Sequence, residues 1–242
     1  MSKKSWSIFA AVCLVVLGGL IYLSNRSRID VSAVNNDSIL KASTQSGNIA
    51  DHVFGVQNSK VVLYEYGDYE CPSCGAAYQP LKDITAKYQG QISFVFRNFP
   101  LVTIHPNARA GAAAAEAAGL QGKYWQMHDL LYENQTVWGQ ADPNSRGSYF
   151  DSYAKQLGLN IATFDTDMSS AAVDQKISFD IALGQKLNVD ATPTIYLGST
   201  RLDNISTSTS PVDETKLSAL IDAQLRANNI ASPTTTSNTA NQ

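Results

Sequence analysis

Cysteine and histidine are scarce in this chain. Its 242 residues include only three of each, which are Cys13, Cys71, Cys74, His52, His105 and His128. A structural zinc site needs four ligands, usually from two closely spaced pairs, and these residues do not have that spacing. Three cysteines also do not describe a disulfide-rich scaffold. What remains is a single pair, Cys71 and Cys74, at the spacing C-x-x-C.

Charge is also sparse. Charged residues make up 16% of the chain, and the formal net charge is −3. A nucleic-acid-binding domain needs a basic surface, so we expect no nucleic-acid partner. Without its terminal segments the chain has the length of one domain with an ordinary hydrophobic core, and it contains no internal repeat.

The N-terminal segment contains a long uncharged run. No charged residue occurs from Ser5 to Leu23, after Lys3 and Lys4. Its apolar part, residues 8–23, is longer than the ~7–15 residues of a signal-peptide core and just shorter than an average spanning helix of ~17–25 residues. We predict that residues 1–24 are a membrane anchor or signal segment. An uncleaved anchor is favoured, and a cleaved signal with Val31-Ser32-Ala33 as its cleavage site is the alternative.

Polar sequence flanks the region that can fold. Residues 25–50 are rich in Ser and Asn and are predicted to form a polar tether between the membrane segment and the domain. Residues 228–242 consist mainly of Thr, Ser, Asn and Ala, which bury little apolar surface. This tail is therefore predicted to be disordered.

The stretch VVLYEYGDYECPSCG, residues 61–75, carries the cysteine pair. Its apolar start predicts a central strand covered on both faces. The cysteines then fall at the start of a predicted helix, where unpaired N–H groups and the helix dipole favour a thiolate. Cys71 is therefore the predicted nucleophile, and Cys74, one turn later, can form a disulfide with it. Pro72 at the first helical position presets the backbone there.

Several interpretations of this pair remain open. A structural disulfide or a metal site would use the same residues, but a strand followed by C-x-x-C and a helix favours redox chemistry. Glu65 lies within the apolar strand, where desolvation would raise its pKa and make its proton available to a sulfur leaving group. The alternative places Glu65 in water at a strand end. His105 and His128 are predicted to be structural.

Residues at both ends of the domain resemble the DsbA-like branch of the thioredoxin superfamily. They are Glu65, the CPSC motif at residues 71–74 and the sequence Ala191-Thr192-Pro193-Thr194. A C-x-x-C motif together with a distant Thr-Pro before a strand is more specific than either feature alone.

The middle of the chain resembles the inserted helical region of the same proteins. The matching segments are FPL at residues 99–101, His105-Pro106, an alanine-rich run and GKYWQMHD at residues 122–129. Helical spacing predicts about four helices in this region, over residues 108–118, 124–132, 148–157 and 171–187. A closing helix that ends near Ala227 is predicted to be capped by Ser210. The resemblance covers residues 52–227.

The resemblance implies an α/β, thioredoxin-like fold. Its two parts are predicted at residues 51–100 and 189–227, separated by an inserted helical subdomain at residues 101–188. In the resembling family the proline matching Pro193 is cis and faces the disulfide. The backbone of Ala191 and Thr192 would then pair with an extended substrate, as in β-strand addition. Pro72 and Ser73 are also predicted to contact substrate.

These residues predict an extracytoplasmic thiol:disulfide oxidoreductase that introduces disulfides into exported proteins. We expect the Cys71–Cys74 disulfide to be the only redox group, with no bound cofactor or metal. Because the dipeptide Pro72-Ser73 lacks the histidine of the strongest oxidants in this family, we expect a milder oxidant, and a reductase or isomerase is the alternative. A non-redox binding or chaperone module would be a protein of another class.

The resemblance also implies partners and a location. Exported proteins with cysteine thiols are the expected substrates. A quinone-linked membrane protein of the DsbB or vitamin K epoxide reductase type is expected to reoxidise the pair. The protein is predicted to be a single-pass protein of the bacterial cell membrane with an extracytoplasmic catalytic domain. No dimerisation domain is visible, so a monomer is expected.

Overall fold

The structure, a computed structural model, describes residues 6, 9, 12–19, 29–206 and 210–233. The chain divides into two compact units, residues 1–30 and residues 31–242. In the first unit, residues 12–19 are helical. Within the parts of the chain that are described, no helix combines the length and the apolar character needed to cross a membrane. Most of the predicted anchor, residues 1–24, lies outside the described residues.

A mixed five-stranded sheet is the centre of the second unit, counted over its described residues. In chain order the strands are β1 (Val53–Gly55), β2 (Val62–Gly67), β3 (Ser93–Asn98), β4 (Thr194–Leu197) and β5 (Thr200–Arg201). The spatial order is β1-β3-β2-β4-β5, with β2 parallel to β3 and antiparallel to β4. Every residue of β2 is buried, which confirms the predicted central strand.

Two helices cover one face of the sheet. They are α1 (Pro72–Lys87) and the closing helix, which is α8 in chain order (Glu214–Ala227). Leu81 and Ile84 of α1 pack with Leu217 and Ile221 of α8 against Leu63 of β2. Because successive side chains of a strand alternate between faces, Glu65 points to the same face as Leu63.

The residues between β3 and β4 form the helical insertion. All of them are described, and the helices are α2 (Ala108–Leu120), α3 (Tyr124–Glu133), α4 (Gln135–Trp138), α5 (Arg146–Gln156), α6 (Ile161–Met168) and α7 (Ala171–Lys186). The four predicted helices are present, and the thioredoxin-like fold with a helical insertion is confirmed. The short helices α4 and α6 were not predicted. Each buries a single large side chain, Trp138 or Phe164, which leaves no apolar periodicity to detect.

Residues 31–50, which we call the arm, pack against the rest of the second unit. The Arg97 guanidinium donates from Nη1 to the Asn36 carbonyl at 2.8 Å and from Nη2 to the Ser38 carbonyl at 3.0 Å. The Lys186 ammonium donates to three arm carbonyls at 2.8–3.0 Å, those of Val31, Ser32 and Val34. The predicted polar tether over residues 25–50 is therefore corrected for the arm, which is fixed to the domain. These bonds are to backbone carbonyls, which carry no side-chain signal, although the arm also buries Val31, Ser46 and Ile49.

Arg97 also belongs to a buried cluster of charges. Its Nη2 lies 2.9 Å from Oδ2 of Asp51, and Lys176 contacts both Asp51 at 3.1 Å and Asp180 at 2.7 Å. Burial alone would raise the pKa of Asp51, but Arg97 and Lys176 hold it well below its usual range. The cluster joins the arm, the sheet and α7 through groups that keep their charge inside the protein.

The end of the domain differs from the prediction in two details. Asp213, not Ser210, is the N-cap of α8, because its carboxylate accepts from the backbone N–H groups of Thr215 and Lys216 at 3.0 and 3.1 Å. The first residues of the predicted disordered tail fold back on the helix, where the backbone N–H of Ile230 donates to the Leu225 carbonyl. Residues 234–242 of that tail lie outside the described residues.

Candidate active site

Cys71 lies at the junction of the central strand and α1. The chain leaves β2 at Gly67, and Cys71 is the N-cap of α1 with extended backbone angles and Pro72 as the next residue. Cys71 is 7% exposed and Cys74 is completely buried beneath it. Pro72 and Ser73 are both exposed beside Cys71. An incoming thiolate can therefore reach the Cys71 sulfur but not the Cys74 sulfur.

The two thiols have opposite acidities. A hydrogen bond from the Cys74 thiol lowers the pKa of Cys71 to about 5, against the effect of burial and with further help from Thr192 and from the backbone N–H groups of Cys74 and Ser73. Burial, followed by the hydrogen bond to Cys71, raises the pKa of Cys74 well above its usual value. The thiolate therefore forms on Cys71, as a nucleophile or leaving group requires.

The Thr192–Pro193 peptide bond is cis and lies against Cys71. The Cys71 thiol donates to the Thr192 carbonyl at 3.5 Å. Thr192 is 8% exposed. Ala191 is exposed, but its carbonyl already accepts from the Thr194 hydroxyl at 2.7 Å. Thr192, rather than Ala191, therefore brings its backbone carbonyl to the Cys71 sulfur.

Glu65 is buried beneath the cysteines rather than placed in water. It is 3% exposed, and burial, with a smaller effect of Cys71, raises its pKa to about 8. Its Oε1 has no hydrogen-bond partner in the described part of the chain, and neither do Nε1 of Trp125 and Nε2 of His128. All three residues line one cavity of about 120 Å³, which Lys82 and Asp129 also line. A cavity of this size has room for a few water molecules.

Several residues near the cysteines were not singled out from the sequence. Asp68 is 1% exposed and lies in the loop before Cys71, and His105 lies 2.7 Å from its carboxylate. Gln135 of α4 donates to the Tyr69 and Cys71 carbonyls at 2.9 and 2.8 Å. Asp68 lies inside the motif stretch, but its partners come from a loop more than thirty residues later. Only the folded chain brings them together.

The predicted site residues thus lie together in the structure, with one of them at the edge. Cys71, Cys74, Glu65 and the Thr192–Pro193 bond are close together, Pro72 and Ser73 lie beside them, and Ala191 lies at the edge. Over the described residues, no set of three or more His, Cys, Asp or Glu side chains is arranged to hold a metal ion.

Among curated proteins, the chain is similar to part of a much longer protein. It is 35% identical over 151 residues to a protein of Salinispora arenicola named Na(+)/H(+) antiporter NhaA 1. The match covers 62% of this chain and 22% of that protein. The chain thus spans about a fifth of the length of the curated relatives that it matches.

Solved structures share the fold over most of the chain. The crystal structure of oxidised BdbD from Bacillus subtilis is 25% identical in sequence and has a TM-score of 0.61. The match covers 78% of this chain and 97% of that one. The thiol-disulfide exchange protein alpha-DsbA2 from Wolbachia pipientis is 21% identical with a TM-score of 0.58, covering 74% and 89% of the two chains.

A family model described as thioredoxin matches residues 47–223, about three quarters of the chain. That range contains the whole sheet, the cysteine pair and the cis proline. The chain therefore belongs to the thioredoxin family, and its resemblance to the DsbA-like branch is confirmed.

Proposed function

We propose that this protein is a thiol:disulfide oxidoreductase that introduces disulfides into exported proteins through Cys71 and Cys74. The observation that carries the proposal is the asymmetry of the pair, in which the accessible Cys71 has a pKa of about 5 and Cys74 is fully buried with a raised pKa. The family membership and the thiol-disulfide exchange named for the Wolbachia protein support it. The antiporter name belongs to longer proteins, and this chain matches 22% of the Salinispora protein that carries it.

The reaction would proceed by two displacements. A substrate thiolate attacks the Cys71 sulfur of the oxidised protein, a substrate–Cys71 disulfide forms, and the Cys71–Cys74 bond breaks with its electron pair on Cys74. A second substrate thiolate then attacks the substrate sulfur and displaces Cys71 as a thiolate. The substrate loses two electrons in total and the cysteine pair gains them. The low pKa of Cys71 makes it a good leaving group in the second step.

Glu65 is the proposed proton donor to Cys74. With a pKa of about 8 it is mostly protonated at neutral pH and lies beside the sulfur that becomes negative. The cavity beneath it reaches Lys82 and Asp129, whose side chains are 39% and 34% exposed. This arrangement would allow Glu65 to regain a proton from solvent while the cysteines stay covered by substrate.

Replacing Glu65 by glutamine should slow the displacement of Cys74. Glutamine has a similar shape but no acidic proton, so we expect a loss of about a hundredfold below pH 8, within the usual range for general acids. The difference should shrink above pH 8, because Glu65 itself loses its proton there. The measurement is the rate at which the oxidised protein reacts with a small thiol across this pH range.

The same variant should remove a pH dependence of stability. The folded protein keeps the Glu65 proton up to about pH 8, whereas the unfolded chain releases it near pH 4.5. The free energy of unfolding of the parent should therefore fall as pH rises through this window, and that part of the slope should be absent in Glu65→Gln. Glu214→Gln, an exposed acid of α8, is the control and should keep the parent rate. Equal rates in Glu65→Gln and the parent below pH 8 would contradict the proposed role.

The direction of electron flow is tested by the reduction potential. Each unit by which the pKa of Cys71 falls stabilises the reduced form by ~1.4 kcal/mol, or ~30 mV. We expect an oxidant milder than DsbA at ~−120 mV, and a potential near thioredoxin's ~−270 mV would favour the reductase alternative. The ultraviolet absorbance of the Cys71 thiolate, measured in a Cys13→Ser background, should titrate near pH 5. A pair that forms no reversible disulfide would overturn the proposal in favour of a non-redox module.

The location and partners are part of the proposal. An uncleaved anchor at residues 1–24 would keep the catalytic domain beside the cell membrane on its extracytoplasmic side, where disulfides persist. There a quinone-linked membrane protein of the DsbB or vitamin K epoxide reductase type would accept the two electrons. The protein would act as a monomer on exported proteins with cysteine thiols.

A further inference from the structure

Cys74 leaves as a thiolate in a place that water does not reach. Its sulfur is fully buried, and its neighbours include Glu65 and the Cys71 sulfur. Negative charge that develops in a buried site is best stabilised by a donor already aimed at it. The backbone N–H of Asp68 is such a donor, because it points to Sγ of Cys74 at 3.5 Å.

Asp68 contacts both cysteines through its backbone. Besides the N–H that points to Cys74, its carbonyl accepts from the backbone N–H of Cys71 at 3.1 Å. The Tyr132 hydroxyl donates to the same carbonyl at 3.4 Å. The orientation of the peptide groups on either side of Asp68 therefore decides whether a donor faces the buried sulfur.

The Asp68 carboxylate holds this residue in place. Its Oδ1 accepts from the Glu70 backbone N–H at 2.8 Å, and its Oδ2 accepts from the Leu101 backbone N–H at 2.8 Å. Oδ2 also lies 2.7 Å from Nδ1 of His105. Leu101 and His105 belong to one tight turn, in which the His105 N–H donates to the Leu101 carbonyl. His105 thus fixes the carboxylate from the side of the loop that follows β3.

We propose that the Asp68 backbone N–H stabilises the Cys74 sulfur as it leaves, and that the Asp68 carboxylate and His105 are the positioning pair that aims it. The inference rests on the proposed function. In the first displacement the electron pair of the broken Cys71–Cys74 bond passes to Cys74 Sγ. The Asp68 N–H stabilises this charge by a hydrogen bond, and Glu65 then supplies the proton. The donor favours the reduced pair over the disulfide, because a disulfide sulfur is the weaker acceptor.

The surroundings of Cys74 agree with this role. Burial, Cys71 and Glu65 all raise the pKa of Cys74, and the Asp68 N–H acts in the opposite direction. The geometry supports the role independently, since the N–H points to the sulfur that takes up the electron pair in the first step.

The chain offers a matched control for His105. His52 lies 2.9 Å from the buried carboxylate of Glu116, and its side chain is 18% exposed against 16% for His105. Both acids are completely buried, but the His52 pair joins the segment before β1 to α2. Leucine at either position removes one histidine–carboxylate contact of the same kind, so both variants should lose stability.

Only His105→Leu should change the redox equilibrium. We expect its equilibrium with glutathione to shift about three- to tenfold toward the disulfide, which is about 15 to 30 mV more negative. Its attack by a small thiol should slow by a similar factor. His105→Asn places a donor nitrogen where Nδ1 lies and should restore the parent potential. His52→Leu should keep the parent potential and rate.

The outcomes separate this inference from the proposed function. If His105→Leu and His52→Leu have the parent potential, the positioning role is overturned while a redox-active parent keeps the proposed function. A parent without a measurable potential overturns the proposed function itself. Should His105→Leu fail to fold, Asp68→Asn is measured instead. It must shift the potential in the same direction, and an unchanged potential again refutes the role.

Discussion

Replacing Cys74 by serine is expected to trap the protein on its substrates. In this variant Cys71 keeps its accessible sulfur, but the thiol that would release a mixed disulfide from the enzyme side is gone. Covalent adducts, which form when the Cys71 thiolate attacks a disulfide of an exported protein and releases one of its thiols, should therefore accumulate from trace amounts to a major fraction of the protein. Non-reducing gels of cells that carry the variant, followed by mass spectrometry of the bands that disappear on reduction, measure this.

Two controls make the trapping result specific. Cys71→Ser should form no adducts, because the buried Cys74 is not reached by another protein. Cys13 should be serine in every variant, since it is a third free thiol. A Cys74→Ser protein that carries no adducts, while Cys71 is still alkylated by a small reagent, would count against catalysis on protein thiols.

Replacing Arg97 by methionine should cause the largest loss of stability outside the site. Methionine fills similar space but makes none of the bonds to Asp51, Tyr66 and the Asn36 and Ser38 carbonyls. Breaking a buried ion pair by removing one partner costs about 3–5 kcal/mol. Urea unfolding should show a loss of that size, and limited proteolysis should cut the arm first.

Arg109 is the matched control for Arg97. It is paired with Asp174, but the two side chains are 36% and 67% exposed, so Arg109→Met should cost no more than about 1 kcal/mol. Equal losses of stability in the two variants would contradict the role of Arg97 in holding the arm. So would an arm of Arg97→Met that resists protease as the parent does.

The parts of the fold that were predicted correctly depend on local patterns. An uninterrupted apolar strand, two cysteines at helix spacing and a Thr-Pro before a second strand are each visible within a few residues. Burial of Glu65 could be predicted for the same reason, because it lies in an otherwise apolar strand.

What escaped prediction depends on contacts between distant segments. Arg97 looks like the polar end of a strand, yet it is completely buried because the arm returns to cover it. Asp68 looks like a turn residue, yet its carboxylate is held by the loop after β3. A charge or a carboxylate can be recognised in a sequence, but the partner that justifies its burial cannot.

The arm is bonded to the domain through its backbone, so its composition does not show that it is attached. Arg97 and Lys186 donate hydrogen bonds to its backbone carbonyl groups, which every amino acid possesses. These hydrogen bonds do not depend on the side chains at the bonded arm positions, but they do depend on the two cations. A segment with the composition of a flexible linker can in this way be a fixed part of a folded domain. The residues that show it to be fixed lie elsewhere in the chain.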